Sequence, residues 1–484
     1  MATTTKAIQL LQEIFPAPQI HLPTTPEYER LNGSYLSALE SDLNPACIFQ
    51  PRSSAEVSQF LKALVPLKAS FAVRGAGQQP LPGCANIEGG ITLDLGLLTG
   101  IEIKDESVLI AAGERWGAVY EALESEGLGV SGSRSARGGI GGLALSGGLS
   151  FFSSREGFIS DNVLNYEIVL ASGETVNANE TENHDLWIAL RGGGNNFGIV
   201  TRFELRTFPQ GPFWSGVTYY FPPSFPAQID ALVKQLYEPE SSEAEDTHFM
   251  ISIGYAAQMG GNMCMNQVYQ TGPPTSGGED QQPPAVLVPF TDIQPRVDQI
   301  SSVGVRSLTQ AAGDQASAAR EQQRCAYFNT TIKADPATLK AASDIYTAAL
   351  NPIQSAEGLI CSLTLQPYPV SLLKKSIERG GNSLGLTTSD GPLVSILLLT
   401  YWSSRNDDAA VLGVMQKALA DIKREAQNRN TSVPFEFLNY AWGSQDPIGS
   451  YGEENKKRLQ EVSKRIDPEG VFQRLVPGGF KLFL

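Results

Sequence analysis

Histidine is scarce in this sequence, and the cysteines lack the spacing of a metal site. The three histidines, His21, His184 and His248, have no ligand spacing to one another or to a cysteine. The five cysteines are odd in number, widely spread and form no C-x-x-C pair. These patterns exclude a zinc site and a disulfide framework, and they favour reduced, mostly buried thiols. We therefore expect no metal centre.

Long apolar runs and a basic leader are also missing. No stretch approaches the ~18 consecutive apolar residues that a membrane-spanning helix needs. The start, MATTTKAIQLLQEIF, has no basic segment followed by an apolar one, because Gln12 and Glu13 interrupt it. It is typical of a short amphipathic helix rather than a signal peptide. The expectation is a cytoplasmic protein without a membrane partner.

Clusters of Lys and Arg are absent as well. The chain has 36 basic and 51 acidic residues, a formal net charge of −15. Nucleic acid and anionic membrane surfaces are therefore excluded as partners. The 484 residues exceed one ordinary core, and a composition of 42% hydrophobic and 18% charged residues is globular. Two or three folded domains are predicted.

Glycine, in contrast, is concentrated in three clusters, each beside a predicted strand. They are VRGAGQQPLPG (73–83), SGSRSARGGIGGLALSGG (131–148) and RGGGNNFG (191–198). None is a Rossmann G-x-G-x-x-G fingerprint or a Walker loop, since no Gly-Lys-Ser/Thr occurs. Three such clusters favour a large cofactor held by backbone amides. A tightly packed β-rich domain without a ligand is the alternative.

The composition changes after Pro212. Alternating apolar strands such as THFMISIGYA and LVSILLLTYW are mixed with the helical pattern AAVLGVMQKALADIKREA, and PTSGGEDQQPP, ending at residue 284, is a polar loop. This order predicts a second domain built on an antiparallel sheet with helices on one face.

The glycine motifs occur in the order of a known family. GGIGGLALSGG, SDNVLNYEIVLASGE and DLWIALRGGGNNFGIVTRFEL resemble the FAD-binding domain of the vanillyl-alcohol oxidase / p-cresol methylhydroxylase (PCMH) superfamily. The tail, from FLNYAWGSQDPIGSYGEENKKRLQEVSKRIDPEGVFQ to PGGFKL, is similar to the berberine bridge enzyme-like branch. The resemblance implies an α+β fold with a two-subdomain PCMH-type FAD-binding domain and an antiparallel-sheet substrate domain. The expected boundaries are a helical extension at 1–40, the FAD-binding domain at 41–212, the substrate domain at 213–430, and a returning C-terminal segment at 431–484.

Carried onto this sequence, the resemblance implies a set of FAD contacts. The first loop should hold the pyrophosphate and approach the ring, and the second should cover pyrophosphate, ribose and ring edge. The third should flank the adenine, and an Asn-Tyr pair in the tail should reach the flavin or the substrate. The residues concerned are Arg74, Gly75, Ala76, Gly77, Gln78, Gln79, Ser133, Arg134, Ser135, Gly138, Gly139, Gly141, Gly142, Leu145, Gly148, Gly198, Ile199, Val200, Asn439 and Tyr440.

Both covalent flavin anchors of the family are missing. Gln78 stands where the family has its histidine, and Ser135 stands where two-anchor members have a cysteine. A carboxamide is not nucleophilic enough for that bond, so FAD is expected to be noncovalent. The catalytic candidates are Tyr327, Tyr401 and Glu436. Tyr401 lies on a strand whose alternate residues should face the flavin.

The resemblance implies an FAD-dependent oxidoreductase, an oxidase or dehydrogenase. Its substrate would be a small, largely apolar natural-product intermediate, and molecular oxygen would be the acceptor. Two alternatives stay open at this point. One is a redox-neutral isomerase or cyclase in which FAD is structural. The other is a fold that binds a metabolite and catalyses nothing.

Overall fold

The structure, a computed structural model, describes residues 2–238, 242–273, 282–320 and 322–483. These residues form three β-sheets with helices between and around them. Residues 274–281 of the predicted polar loop lie outside the described ranges. Within those ranges, no helix combines the length and the apolar composition that crossing a bilayer requires.

The first sheet has the order β1-β2-β4-β3. Its central strands are parallel because a helical crossover connects β2 to β3, while β1 pairs antiparallel with β2. The crossover helix starts after Ser53, whose side chain accepts a hydrogen bond from the Glu56 amide, as predicted from the Ser-cap pattern. The strands are β1 (Ile20–His21), β2 (Cys47–Phe49), β3 (Phe71–Arg74) and β4 (Ile91–Asp94), and the helices are α1 (Ala2–Ile14), α2 (Pro26–Asn32), α3 (Ala38–Ser41) and α4 (Ser54–Leu64).

The second sheet has the order β5-β6-β10-β8-β9, and β7 pairs with the far end of β10. The predicted Ser-Gly hairpin is confirmed as the antiparallel pair β8–β9. The strands are β5 (Ile101–Ile103), β6 (Ser107–Ala111), β7 (Leu128–Val130), β8 (Val163–Val169), β9 (Thr175–Asn179) and β10 (Ile199–Pro209). The helices of this part are α5 (Trp116–Glu124), α6 (Ile140–Leu145), α7 (Ser153–Glu156) and α8 (His184–Leu190).

The third sheet is antiparallel throughout, in the order β14-β11-β13-β12-β16-β17-β15-β18. Its strands are β11 (Phe213–Tyr220), β12 (Thr247–Ala256), β13 (Gly261–Gln270), β14 (Ser302–Arg306), β15 (Arg324–Lys333), β16 (Ile360–Tyr368), β17 (Leu393–Trp402) and β18 (Ser432–Val433). The accompanying helices are α9 (Phe225–Tyr237), α10 (Ser242–Glu245), α11 (Val288–Thr291), α12 (Leu308–Ala318), α13 (Pro336–Ala349), α14 (Val370–Glu378) and α15 (Asp408–Asn428).

The two faces of this large sheet have different neighbours. On β12, Phe249, Ile251 and Ile253 join the hydrophobic cluster that includes α9, α13 and α15. The alternate residues His248 and Met250 face the first two sheets, because side chains alternate along a strand. The predicted antiparallel sheet with helices on one face is thereby confirmed.

The C-terminal segment packs back on the first sheet. Phe472 makes an edge contact with Phe71, and the Phe71 amide donates to the Leu475 carbonyl oxygen at 2.8 Å. The helices of this segment are α16 (Pro447–Ser450), α17 (Glu453–Ile466) and α18 (Val471–Arg474). The tail therefore shares a hydrophobic core with residues from the first half of the chain.

Candidate functional site

The first glycine loop follows β3 and is supported from behind by Arg74. The guanidinium is buried and donates to the Leu31 carbonyl oxygen at 2.7 Å and to Ser34 Oγ at 2.7 Å. It lies 3.5 Å from the Asp94 carboxylate and stacks on the ring of Tyr35. Arg74 was predicted as a cofactor contact. Its side chain is instead bonded to buried groups around the first sheet.

The other residues of this loop differ in how much space surrounds them. Gly77 has φ of +65°, and a Cβ there would lie 2.8 Å from the Tyr35 ring, so the position requires glycine. A Cβ at Gly75 would meet no atom within 4 Å. Gln78 and Gln79 are half-buried, next in the chain after these glycines. The loop therefore borders open space at Gly75, close in the chain to two carboxamide side chains.

The second glycine run touches the first loop. A Cβ on Gly139 would lie 2.5 Å from the Ala76 Cβ. Arg115 joins the two segments, since it donates to the Arg137 carbonyl oxygen at 2.6 Å and to the Ala76 carbonyl oxygen at 3.3 Å. Gly139 is therefore the point at which the two backbones meet.

The turn at the start of the run is held by local bonds. The Ser135 amide donates to Ser133 Oγ at 3.0 Å, and the Gly138 amide donates to the Ser135 carbonyl oxygen at 3.0 Å. A Cβ on Gly138 would collide with Ser133 Oγ at 2.5 Å. Tyr120 fixes the turn from the neighbouring helix by donating to the Ser133 carbonyl oxygen. Packing against Ser133 therefore favours glycine at position 138, whether or not a cofactor is bound.

The remaining residues of the run fall into two groups. Gly141 and Gly142 lie on α6, and a Cβ on either would meet no atom closer than 4.0 Å. Gly148 has φ of +74°, and its Cβ would lie 2.9 Å from Ile159 Cδ1. Its amide donates to Asn439 Oδ1 at 3.1 Å. The α6 glycines therefore border open space, whereas Gly148 is required by the turn and is bound to the tail.

The third glycine cluster is built into the second sheet. The amides of Gly192 and Gly194 both donate to the Leu145 carbonyl oxygen, which ties this cluster to the end of α6. A Cβ on Gly198 would lie 2.7 Å from the Ile168 side chain and from the Val169 carbonyl oxygen of β8. The side chains of the next two residues are buried in the core: Ile199 and Val200. Adenine contacts by residues 198–200 stay a prediction, and in this geometry they would come from main-chain atoms.

A polar cluster links the second glycine run to the large sheet. The Arg134 guanidinium donates to His248 Nε2 at 2.9 Å and to Gln366 Oε1 at 2.8 Å. It also donates to Tyr440 Oη at 2.6 Å and contacts Met250 Sδ at 2.8 Å. Burial, and then the charge of Arg134, lower the pKa of His248 well below its usual range, so its imidazole is neutral. We call Arg134, His248, Gln366 and Tyr440 the arginine cluster.

His248 and Gln366 are absent from the sequence-based candidates because neither belongs to a glycine motif. The signal that could have identified His248 is the alternation of side chains along its strand. His248 precedes Phe249, Ile251 and Ile253, which face the helices, so it must face the opposite side. Once the helix side of the sheet is known, this assignment is direct.

Two of the three catalytic candidates lie close to this cluster. The ring of Tyr327 stands edge-on to that of Tyr440, with centroids 5.9 Å apart. Cys325 is opposite Tyr401 in the sheet register, so Tyr327 and Tyr401 share a face. Burial raises the pKa of both phenols above its ordinary value. Both tyrosines are therefore protonated at neutral pH.

Glu436, the third candidate, is engaged elsewhere. Its carboxylate forms an ion pair with Lys423 of α15 and accepts from the Asp446 amide at 3.1 Å. Its own amide donates to Ser450 Oγ. These bonds link Glu436 to α15 and to the start of α16 rather than to the tyrosines.

Comparison with protein families matches residues 45–179 to the family described as FAD binding domain. Two fungal proteins are similar over nearly the whole chain. The FAD-dependent monooxygenase tpcD of Cochliobolus heterostrophus is 33% identical over 472 residues, with 96% of this chain and 89% of the relative covered. The bifunctional solanapyrone synthase of Alternaria solani is 33% identical over 457 residues, with 94% and 85% covered.

Solved structures show the same fold at low sequence identity. The 6-hydroxy-D-nicotine oxidase of Arthrobacter nicotinovorans superposes with a TM-score of 0.78 at 20% identity, with 96% of this chain and 97% of that chain covered. The wild-type BBE-like 1 protein of Physcomitrella patens superposes with a TM-score of 0.77 at 17% identity, with 99% of both chains covered. The chain therefore has the same overall fold as these two proteins.

Proposed function

Because this chain belongs to the family of FAD-linked oxidoreductases that includes tpcD and solanapyrone synthase, we propose that it oxidises a small, largely apolar natural-product intermediate. In this proposal FAD is held without a covalent bond, and molecular oxygen is the electron acceptor. The observation that carries the proposal is the meeting of two glycine-rich loops below a sheet face that presents tyrosines and an arginine cluster.

The residues of the first two loops fit FAD. Gly75, Gly141 and Gly142 each leave the space of a side chain open beside the backbone, and Gly139 holds the loops in contact at Ala76. Backbone amides of such turns can neutralise a diphosphate without Lys or Arg. This property agrees with the acidic composition of the chain. These loops are the segments we assign to the cofactor.

The noncovalent attachment rests on two side chains. Gln78 and Ser135 occupy the positions at which the family resemblance places the flavin anchors. A carboxamide is not nucleophilic enough for this bond, and a serine hydroxyl is a weak nucleophile unless a base activates it. The chain also has no cysteine between Cys84 and Cys264 that could replace them. FAD should therefore leave the protein when the fold is lost.

The protein's own groups would position the substrate. FAD, when bound, supplies the two-electron oxidation. Tyr327 and Tyr401 are protonated at neutral pH, so they would donate hydrogen bonds to a substrate oxygen rather than remove a proton. The Tyr440 hydroxyl accepts from Arg134 and donates to Gln366 Oε1, which fixes its orientation. The large sheet would exclude water from this region.

A redox-neutral isomerase or cyclase is the second candidate. The arginine cluster favours it, because its donors could polarise a substrate carbonyl group without any net oxidation. In that case FAD would only shape the pocket. The two candidates differ in a measurable way, since only the first one requires reduction of the flavin during turnover.

The test begins with FAD reconstitution of the purified protein. Acid precipitation should leave yellow flavin in the supernatant, and the denatured chain should keep the mass of the polypeptide alone. A chain mass raised by one FAD would refute noncovalent binding, and failure to bind FAD at all would refute the proposed function. Under anaerobic conditions, bleaching of the visible flavin band by a turned-over substrate identifies an oxidase. Product formation without bleaching identifies the redox-neutral enzyme.

A further inference from the structure

The Arg134 side chain connects the second glycine run to the large antiparallel sheet and to the C-terminal segment. The residue belongs to the second glycine run, yet its partners lie on β12, on β16 and in the tail. The bonds are 2.6 to 2.9 Å long and span 114 to 306 residues of sequence. The charge is therefore held at a defined point between the glycine loops and the large sheet.

The acceptors around this charge are all neutral. Because an arginine nitrogen can only donate, His248 Nε2 must accept, which requires an unprotonated imidazole. Gln366 and Tyr440 contribute a carboxamide oxygen and a phenol oxygen. In the described ranges, no carboxylate forms an ion pair with Arg134. A partly buried charge without a counterion is unfavourable, so the cluster is complementary to an anion.

Acidic groups near this interface are engaged with other arginines. Asp246, close to the start of β12, pairs with Arg155 at 2.7 Å. Asp314 of α12 pairs with Arg306 at 2.9 Å. The groups bonded to Arg134 from the packed elements are His248 on β12, Gln366 on β16 and Tyr440 in the tail. The phenols of Tyr269 and Tyr368 also lie near it, and both are neutral because burial raises their pKa. A counterion would therefore have to come from a ligand.

The sheet face around the cluster mixes apolar side chains with neutral polar ones, because Ser252, Thr364 and Ser395 share this face with His248 and Gln366. Met250 is buried beside the guanidinium, and Tyr401 and Leu397 lie buried on the same face of β17. The Ser252 and Thr364 hydroxyls bond to each other, which leaves Arg134 as the charged group of this surface in the described residues. Such a surface, with one charged group among neutral side chains, matches a ligand with an uncharged body and one acidic oxygen.

We propose that Arg134 binds an anionic oxygen of the substrate, so that the substrate is a molecule with an uncharged body that carries a carboxylate or an ionised enol. This inference rests on the proposed function for the identity of the pocket, and it specifies the substrate class. The cofactor diphosphate is the competing counterion. It is disfavoured because the partners of Arg134 lie on the large sheet and the tail, and none lies on the loop 74–79.

The test uses matched probes of equal shape, 2-naphthoate and 2-naphthamide, titrated calorimetrically into the protein with and without FAD. Wild-type protein should bind the acid about tenfold or more tightly than the amide, because charge-assisted hydrogen bonds are the stronger ones. Dimedone, a cyclic 1,3-diketone with an ionised enol, tests the enolate source. Equal affinity for acid and amide, together with no binding of dimedone, would overturn the proposal without any variant.

Two variants locate the effect at Arg134. Arg134→Gln should abolish the preference for the acid and leave amide binding within about twofold of wild type. Gln366→Glu should do the same with the arginine intact, because it places a carboxylate beside the guanidinium. The exposed Arg52→Gln controls for the change in net charge.

The outcomes separate this inference from the proposed function. If Arg134→Gln lowers the FAD content while the acid-to-amide ratio stays that of wild type, Arg134 serves the cofactor and the proposal is wrong. If wild-type protein never takes up FAD, the proposed function fails. The probe titration on flavin-free protein then still decides whether the anion site exists.

Discussion

Valine substitutions at Gly141 and Gly148 should have opposite consequences. Gly141 lies on α6, where a Cβ would be 4.0 Å from its nearest neighbour, the Ala112 carbonyl oxygen. Valine there should leave the apo fold intact or slightly stabilised, since it is a better helix former than glycine by a few tenths of a kcal/mol. Its methyl groups would occupy the space assigned to FAD, and overpacking costs about 1 to 3 kcal/mol. The Kd for FAD should therefore rise on the order of tenfold or more.

Gly148→Val should instead damage the fold. An L-residue at φ of +74° costs roughly 1 to 2 kcal/mol, and the contacts at 2.9 to 3.0 Å with Ile159 and Leu143 add a further ~1 to 3 kcal/mol. At about 2 to 4 °C per kcal/mol for a large domain, the Tm of the flavin-free protein should fall by roughly 5 °C or more. Differential scanning fluorimetry of apo protein and fluorescence titration with FAD measure the two effects separately.

The matched control is Gly413→Val, at an exposed position of α15 where a Cβ meets no atom within 4 Å. It should change neither the Tm nor the affinity for FAD beyond the small helix-propensity effect. Wild-type FAD affinity in Gly141→Val, with a normal Tm, would refute the placement of the cofactor beside α6. An unchanged Tm in Gly148→Val would refute the structural reason given for that glycine.

Three further predictions concern single side chains. Gln78→His should produce partial covalent flavinylation, visible as a mass of the denatured chain increased by one FAD, whereas the control Gln79→His should not. If the denatured chains of both variants carry no flavin, the placement of this loop is wrong. Glu436→Gln should lower the free energy of unfolding by about 1 to 2 kcal/mol, through loss of the Lys423 ion pair, with unchanged turnover; a loss of turnover at normal stability would restore a catalytic role. Burial lowers the pKa of Lys481 from 10.5 to about 7, so the unfolded chain binds more protons between these values. Stability should therefore rise with pH by up to about 1.4 kcal/mol per unit across that window, and this gain should be lost as the pH falls from 10.5 to 7, with no further loss below 7. Urea unfolding at pH 7 and 9 should show a smaller rise in Lys481→Met than in wild type or in the exposed control Lys457→Met, and equal slopes in all three would contradict this effect.

Several parts of the fold follow from local sequence patterns. The helix after Ser53, the β8–β9 hairpin and the alternation on β12 were all predictable, because capping, turn residues and side-chain period act over a few neighbouring residues. The order of the glycine motifs also identified the FAD-binding fold. Glycine is demanded by backbone geometry, so its positions reveal the path of the main chain even without a structure.

The roles of individual glycines could not be predicted in the same way. Gly141 and Gly148 look alike in sequence, but one borders open space and the other is packed against Ile159 and bonded to Asn439. The distinction depends on the docking of segments that are distant in the chain. A sequence motif shows that glycine is needed, and only the neighbours in space show why.

Side-chain partnerships depended most strongly on tertiary structure. Arg74, which the family resemblance assigned to the cofactor loop, turns its side chain inward to Leu31 and Ser34. Glu436, a catalytic candidate from the sequence, pairs with Lys423. Arg134 meets His248 because the register of the large sheet and its docking on the glycine loops bring the two together. A local pattern can assign a residue to one face of a strand, but which surface that face meets is decided by contacts between distant segments.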